Sequence, residues 1–506
     1  MTANIQLMSF IKKKKGLKLL FVATEAAPFV KIGGLGEVLY ALPKALRDMG
    51  HDVRVLIPKY SSIPAEKYTF KSHIDGIDLS GNSTDRPIIC NIKTLDTDEP
   101  IQNYFLENQE YFEQRGSVYG YDDDAARWAV LCRGALEFVR SDKNDWIPDV
   151  IVASDWQGGL IPNLMKTEYV SDPIISKIAV VFSIHNLHYQ GMFDHHHINE
   201  LDYDDGQSTV PAVGDPRLFK ANFMRRGIRY ADVVNTVSPN YAREITTPEY
   251  GELLDPILQE RRARVFGILN GIDYTTNDPM TNPHVEFKYD SSSLSKRADN
   301  KKYLQKKFNL EENADVPIFA IVSRLSSQKG LDLLADTIEP LLNNYKFQLI
   351  VLGTGESRFM SFFGDLEKKY PQVATHLSFD RALPHTIYAG ADVIMVPSRF
   401  EPSGLTQMEA MRYGALPLVR KTGGLADSVE QYDPFEKSGT GFVFENYDKF
   451  AFFGAMVQVI ETFKYKDNWK GIQKRAMASN FSWSKSAKEY VDLFKKAITF
   501  NSESEV

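Results

Sequence analysis

Leu17-Lys-Leu-Leu-Phe-Val-Ala23, the turn Lys31-Ile-Gly-Gly-Leu-Gly-Glu37, an amphipathic run to Met49 and the apolar Asp52-Val-Arg-Val-Leu-Ile57 form the stretch that decides the fold. A short apolar run, a glycine turn, a helix-patterned segment over Leu35–Met49 and a second apolar run make a strand–helix–strand unit, which builds parallel sheet. Lys12 to Lys15 before it imitate the basic region of a secretory signal. Glu25, however, ends the apolar stretch after about seven residues, the bottom of what such a region needs, so a buried first strand entered from a solvated basic tail is the better reading.

Working outward, the alternation continues. Strands are expected at Ile88–Ile92, Ile101–Leu106, Val150–Ala153, Ile178–Ile184 and Val233–Val237, and long helices at Asp124–Arg140 and Pro216–Tyr230. The polar stretch Tyr274–Asn300 reads as a domain joint. A second alternating block follows, with strands at Ile318–Ser323, Gln348–Leu352, Thr375–Phe379, Val393–Val396 and Leu416–Val419. Its helices are expected at Leu331–Asn344, Glu356–Lys369, Leu405–Tyr413 and from near Gly424, and the tail from Trp483 to Phe500 reads as one more. The expected organisation is α/β: a basic tail over 1–16, a doubly wound domain over 17–270, a second over 271–480 and a terminal helix in 481–506. Ligands of such folds sit at the carboxyl ends of the strands.

The 506 residues exceed one ordinary core, and 43% hydrophobic with 25% charged residues is the mix of a globular protein. A net charge of −7 argues against a general nucleic-acid or anionic-membrane surface, so any phosphate site must be local. Two cysteines, Cys90 and Cys132, are too few for a disulfide framework or a zinc ribbon and favour a reducing cytoplasm.

Candidate chemistry lies at the strand ends. Lys31, Gly33 and Gly34 offer a cation and close backbone approach at a helix N-terminus, where free amides favour an anion. The rival dinucleotide site is disfavoured: the glycine spacing is wrong, and the second strand ends at Pro58 and Lys59 with no carboxylate for a ribose. Lys421-Thr-Gly-Gly-Leu-Ala-Asp427 echoes this loop in the second half. In Ser323-Arg-Leu-Ser-Ser-Gln-Lys-Gly330, Arg324 and Lys329 flank a turn after a strand, suited to a departing diphosphate; a cation about 4 Å away is worth about 4 kcal/mol at an effective dielectric of 20. In Arg399-Phe-Glu-Pro-Ser-Gly-Leu-Thr-Gln-Met-Glu409, Glu401 and Glu409 span a strand–loop–helix corner and can hold sugar and ribose hydroxyls; the plainer reading of Glu409 is helix-dipole capping. Asp155 and His185 follow buried strands and so stand at a cleft mouth. Asp194-His-His-His197 reads as an exposed loop and not a metal patch, because consecutive residues rarely converge on one ion, and Asp122–Asp124 as a helix cap and not a magnesium site.

Together these motifs, with Ser154-Asp-Trp156, His185-Asn186 and Asn270-Gly-Ile-Asp273, resemble the glycogen synthase and starch synthase family of retaining GT-B glycosyltransferases from Leu17 to Phe500, bacterial nucleotide-sugar-dependent glycogen synthases most of all. The resemblance implies two Rossmann-like domains facing a central cleft, with the C-terminal helix crossing back onto the first. It implies transfer of glucose from ADP-glucose to the non-reducing 4-hydroxyl of an α-1,4-glucan such as glycogen, with retention, no metal and no other cofactor. Under it, Lys31, Gly33 and Gly34 face the donor phosphates and sugar, and Arg324 and Lys329 neutralise the diphosphate. Glu401 with Ser403, Gly404 and Leu405 holds the glucose, Thr422, Gly423 and Gly424 the nucleotide side. Asp155 and His185 line the reaction centre, and Asn270 belongs to the substrate-binding set. Ile32, Glu37, Gln157 and Ser403 depart from the family pattern; Glu409 is typical of broader retaining transferases, where it binds the ribose. Two alternatives stand beside this reading: a UDP-glucose-dependent transferase with a smaller acceptor, and an inactive glucan-binding regulator.

Overall fold

The computed structural model describes residues 16–80, 87–96, 101–191 and 204–503. The basic run Lys12–Lys15 and the Asp194–His197 run lie outside them. The first sheet comprises β1 (Lys18–Val22), β2 (Asp52–Pro58), β3 (Phe70–Asp78), β4 (Ile89–Leu95), β5 (Gln102–Glu107), β6 (Val150–Ser154), β7 (Ala179–Ile184), β8 (Val233–Thr236) and β9 (Val265–Gly267). Their order is β3-β4-β5-β2-β1-β6-β7-β8-β9, so the unit from Leu17 to Ile57 supplies the middle of the sheet, with β1 parallel to both β2 and β6. A strand buried on both sides needs a continuous apolar run, which Leu19 to Ala23 supplies.

The second sheet is wholly parallel: β10 (Ile318–Val322), β11 (Gln348–Leu352), β12 (Val373–His376), β13 (Val393–Val396), β14 (Leu416–Arg420) and β15 (Phe442–Phe444), in the order β12-β11-β10-β13-β14-β15. Each sheet has its own core. Buried side chains from Leu19 to Ile268 form one and those from Val285 to Met477 the other. The helix Trp483–Glu503 returns to the first core, where Phe494 meets Phe21 edge-on at 6.3 Å. The two crossings of the chain lie side by side: Ile272 pairs with Ser482, and the Tyr274 hydroxyl accepts from the Phe481 amide at 2.9 Å.

Both domains repeat one buried device. Asp232, just before β8, accepts the Val180 amide and pairs with Lys166 at 2.8 Å; Asp392, just before β13, accepts the Ile318 amide and pairs with Lys301 at 2.8 Å. In each case a carboxylate ties the start of a strand to its neighbour, and the lysine offsets the cost of burying it.

Three expectations are corrected, and three elements are additional. The first sheet is mixed, because β4 runs antiparallel to both β3 and β5; the few residues between Leu95 and Gln102 cannot form the crossover a parallel pair requires. Pro216–Tyr230 is broken into a 3₁₀ turn over Pro216–Lys220 and a helix over Phe223–Tyr230, since Asn222 is extended and its side chain caps the Arg225 amide. The strand expected at Thr375–Phe379 is Val373–His376, leaving Phe379 exposed beyond its end. The helices Lys449–Phe463 and Lys466–Ala478, and strand β3, were not foreseen.

Candidate active site

The carboxyl ends of the two sheets face each other across a cavity of about 1020 Å³. Its wall from the first domain includes Gly33, Gly34, Asp155, His185 and Asn270, and its wall from the second Arg324, Lys329, Glu401, Ser403, Gly404 and Leu405. Residues from loops separated by hundreds of positions thus converge on one cleft, as strand-end placement requires.

On the second wall, β10 delivers Arg324 exposed to the cleft and Lys329 at the end of a 3₁₀ turn. Gly330 follows with φ +70°, and a Cβ there would lie 2.0 Å from the Pro397 carbonyl oxygen, so only glycine lets the turn seat the lysine against β13. The Lys329 ammonium donates to Glu401 Oε2 at 2.5 Å, and the Ser398 hydroxyl donates to the same oxygen at 2.9 Å. Glu401, 6% exposed, is therefore a buried carboxylate balanced by one lysine.

On the first wall, Asp155 sits just past β6 at φ +52° and ψ −174°, a region non-glycine residues avoid and which concentrates at functional sites. The strain turns its carboxylate onto the amides of His185 at 2.7 Å and Asn186 at 3.3 Å. Burial lifts Asp155 to about 7 despite those two bonds, and the Glu25 charge adds to the rise. Burial lowers His185 to about 4, so its imidazole is neutral at neutral pH. The His185 Nε2 lies 3.3 Å from the Ser183 hydroxyl, which donates to Asn235 Oδ1; that oxygen also accepts from Tyr490 of the C-terminal helix at 3.2 Å. The returning helix therefore braces the histidine through a buried polar chain.

Three cleft-wall residues keep a buried polar atom with no hydrogen-bond partner among the described residues: Asn270 Oδ1, Gln157 Oε1 and Ser403 Oγ. Such atoms are costly unless something polar meets them, and a ligand rich in hydroxyls does so.

Other nominated residues lie elsewhere. Lys31 is exposed and paired with Glu37 at 2.7 Å, and it does not line the cavity. Glu409, in the first turn of the helix Thr406–Arg412, also lies off the cavity wall, where burial and the nearby Glu37 charge raise it to about 7. Thr422, Gly423 and Gly424 are outside the cavity wall too. The Gly423 amide is taken by the Glu244 carboxylate of the first domain at 3.0 Å, and the Gly424 amide by the Glu401 carbonyl at 3.1 Å. Added Cβ atoms there would come within 1.9 Å of the Glu401 oxygen and 2.0 Å of the Ser403 oxygen. The second glycine pair is a seat for the Glu401–Ser403 corner, not an open anion cradle. Asp123 and Asp124 are not helix caps by their side chains: they pair with Arg115 and with buried Arg127, each at 2.5 Å, and Asp122 lines the cleft. Among the described residues no cluster of three or more His, Cys, Asp or Glu is arranged to hold a metal.

Sequence reasoning missed Glu25 and Tyr119, both on the cavity wall. Glu25 follows β1 as Asp155 follows β6, and that strand-end position was the available signal; Tyr119 lies in a loop with no periodicity to mark it.

Comparison with known proteins accords with this geometry. Residues 18–260 match the family described as the starch synthase catalytic domain, and residues 303–475 the glycosyl transferases of group 1. A glycogen synthase from Thermotoga petrophila is 40% identical over 488 residues, 95% of this chain and 99% of that one. One from Clostridioides difficile is 40% identical over 485 residues, again covering 95% and 99%. The solved catalytic domain of starch synthase IV from Arabidopsis thaliana, bound to ADP and acarbose, superposes with a TM-score of 0.81 at 30% identity, covering 96% of this chain and all of that one. The chain belongs to the glycogen synthase and starch synthase family and is a glucosyltransferase of the GT-B fold.

Proposed function

We propose that this enzyme transfers glucose from ADP-glucose to the non-reducing 4-hydroxyl of an α-1,4-glucan, with retention of configuration and without a metal ion. The observation that carries the reading is the polarised cleft: Arg324 and Lys329 on one wall, and a neutral His185 with Asp155 on the other. Breaking the bond to the anomeric carbon leaves negative charge on the diphosphate and positive charge on the sugar. Two cations meet the first, where a divalent ion would otherwise serve. A histidine stripped of its charge by burial puts no cation beside the second. Glu401 and the backbone of Ser403–Leu405 hold the glucose, and Asn270 and Ser403 offer it their unpartnered oxygens. The names of the relatives support a glucan product, and the ADP and acarbose held by starch synthase IV support an adenine donor and a glucan acceptor.

The test is incubation with ADP-glucose or UDP-glucose and a glycogen primer, in EDTA, following nucleotide release and the anomer formed by NMR. Release of ADP with new α-1,4 linkages is expected. Activity from UDP-glucose alone, or only after magnesium or manganese is restored, overturns the donor or the metal-free part respectively.

A further inference from the structure

The first glycine loop does not hold itself. Glu25, 3% exposed, accepts the Ile32 amide at 2.6 Å and the Gly33 amide at 3.0 Å on one carboxylate oxygen. Its other oxygen accepts the Tyr119 hydroxyl at 3.1 Å, and that hydroxyl is bonded to Thr24 at 2.7 Å. The fit is close from below as well: a Cβ on Gly36 would stand 3.0 Å from Glu25 Oε2. No cation pairs with Glu25 among the described residues, so two backbone amides and a phenol carry the whole burden of a buried carboxylate. Such an arrangement is expensive and fixes geometry more than it adds stability.

Its position says what it fixes. The helix Gly34–Asp48 starts at N-cap Gly33 with no side chain closing its first turn, and Gly33, Gly34 and Leu35 line the cleft. Glu25 takes the two amides upstream and leaves the helix N-terminus turned to the cavity. The division matters because a misplacement of about 1 Å in a group that receives a reacting ligand costs roughly 10²-fold in rate.

We propose that Glu25 is a positioning residue of the glucosyl-transfer site: by clamping Ile32 and Gly33 it aims the Gly34–Leu35 amides at the donor, and Tyr119 holds the clamp. The proposal rests on the reading of the cleft as a donor site, but half of its test does not use activity.

Two conservative variants separate reach from charge. Glu25→Gln keeps the length and one accepting oxygen for both amides but removes the charge; Glu25→Asp keeps the charge and withdraws it by one methylene, roughly 1.5 Å. Amide hydrogen exchange is read at Ile32 and Gly33, and kcat and donor KM are measured with the nucleotide-glucose that supports wild-type turnover. Glu25→Gln should keep both amides protected and lose far less kcat/KM than Glu25→Asp. Glu25→Asp should expose both amides and lower kcat/KM by about 10²-fold with an unchanged melting temperature. Tyr119→Phe should give a smaller loss in the same direction. The proposal is overturned if Glu25→Asp retains wild-type exchange and kinetics, or if Glu25→Gln is as impaired as Glu25→Asp, which would make the charge itself the working part. A wild-type chain inactive on every nucleotide-glucose would overturn the donor reading and leave the exchange result to decide the clamp.

Discussion

At Lys329 the ammonium has two duties: it balances buried Glu401, and on the reading above it meets the departing diphosphate. Lys329→Ala should therefore do more than a surface change. The orphaned carboxylate costs about 1–3 kcal/mol in stability, and turnover should fall roughly 10²–10³-fold with a smaller change in donor KM. Adding Glu401→Gln removes the orphaned charge, so the double variant should regain melting temperature without regaining turnover. Normal turnover in the single variant with normal melting would sink the assignment. Asp155 supplies a second test, in pH. Its folded value near 7 stands above its ordinary 3.8. The folded chain thus keeps a proton that the unfolded chain has lost between these values, so its contribution to stability is full below about 3.8, declines as pH rises from there and is lost once pH passes about 7. Asp155→Asn, which can still accept the two amides, should lie nearest wild type in melting at about pH 4 and become relatively more stable as pH rises to about 8. If the ionised form serves catalysis, wild-type turnover falls on acidification through about 7 and the asparagine variant shows no such limb. A pH–rate profile with identical limbs in both proteins would exclude that role.

Between elements, the two short helices Pro239–Glu244 and Gly423–Ser428 cap each other across the domain boundary. Asp427 accepts the Asn240 amide at 2.7 Å, while Glu244 accepts the Gly423 amide at 3.0 Å and the Thr422 hydroxyl at 3.1 Å. Beside them Ser238 donates to the Pro402 carbonyl at 2.8 Å. Burial raises both carboxylates, and the hydrogen bonds from the helix ends oppose the rise. This reciprocal clasp lies directly behind the Glu401–Ser403 corner, so it ties that cleft-wall segment to the other domain. Removing either acid as alanine should cost about 1 kcal/mol, the usual worth of a helix cap. Because both caps hold one interface, the pair should not add; a double-mutant cycle should return a coupling of about 0.5 kcal/mol or more. Additive losses would mean that the caps act separately.

Over the whole molecule, the cavity exists only where two independently cored domains meet, and neither wall alone carries both the cations and the Asp155–His185 pair. Closing such a cleft excludes water that would otherwise hydrolyse the donor. Small-angle scattering should therefore show a smaller radius of gyration in saturating ADP than without it, and an unchanged radius would count against closure. The two side-by-side crossings near Ile272 and Ser482 are where the chain passes between domains, and the clasp is a second attachment that any such motion must accommodate.

Much of this was present in the order of residues. Leu19 to Ala23, with no polar residue to expose, is dictated as a central strand, and strand–glycine turn–helix spacing places Gly33, Asp155, His185, Arg324 and Glu401 at strand ends on short-range grounds alone. Hydrophobic period is a local property, and so are the turns that follow it. What the sequence did not settle depends on which backbone donors are already satisfied by distant acceptors. The two glycine motifs look alike as text, yet Glu25 clamps the first so that its helix end opens on the cleft, while Glu244 and the Glu401 carbonyl fill the second and make it a packing seat. Likewise Lys31 is a free cation in the sequence and the partner of Glu37 in the fold, and Glu409 reads as a ligand or cap but lies off the cavity wall, held near 7 by burial and the neighbouring Glu37. Hydrogen-bond capacity and electrostatic environment are properties of space, and only the tertiary structure assigns them.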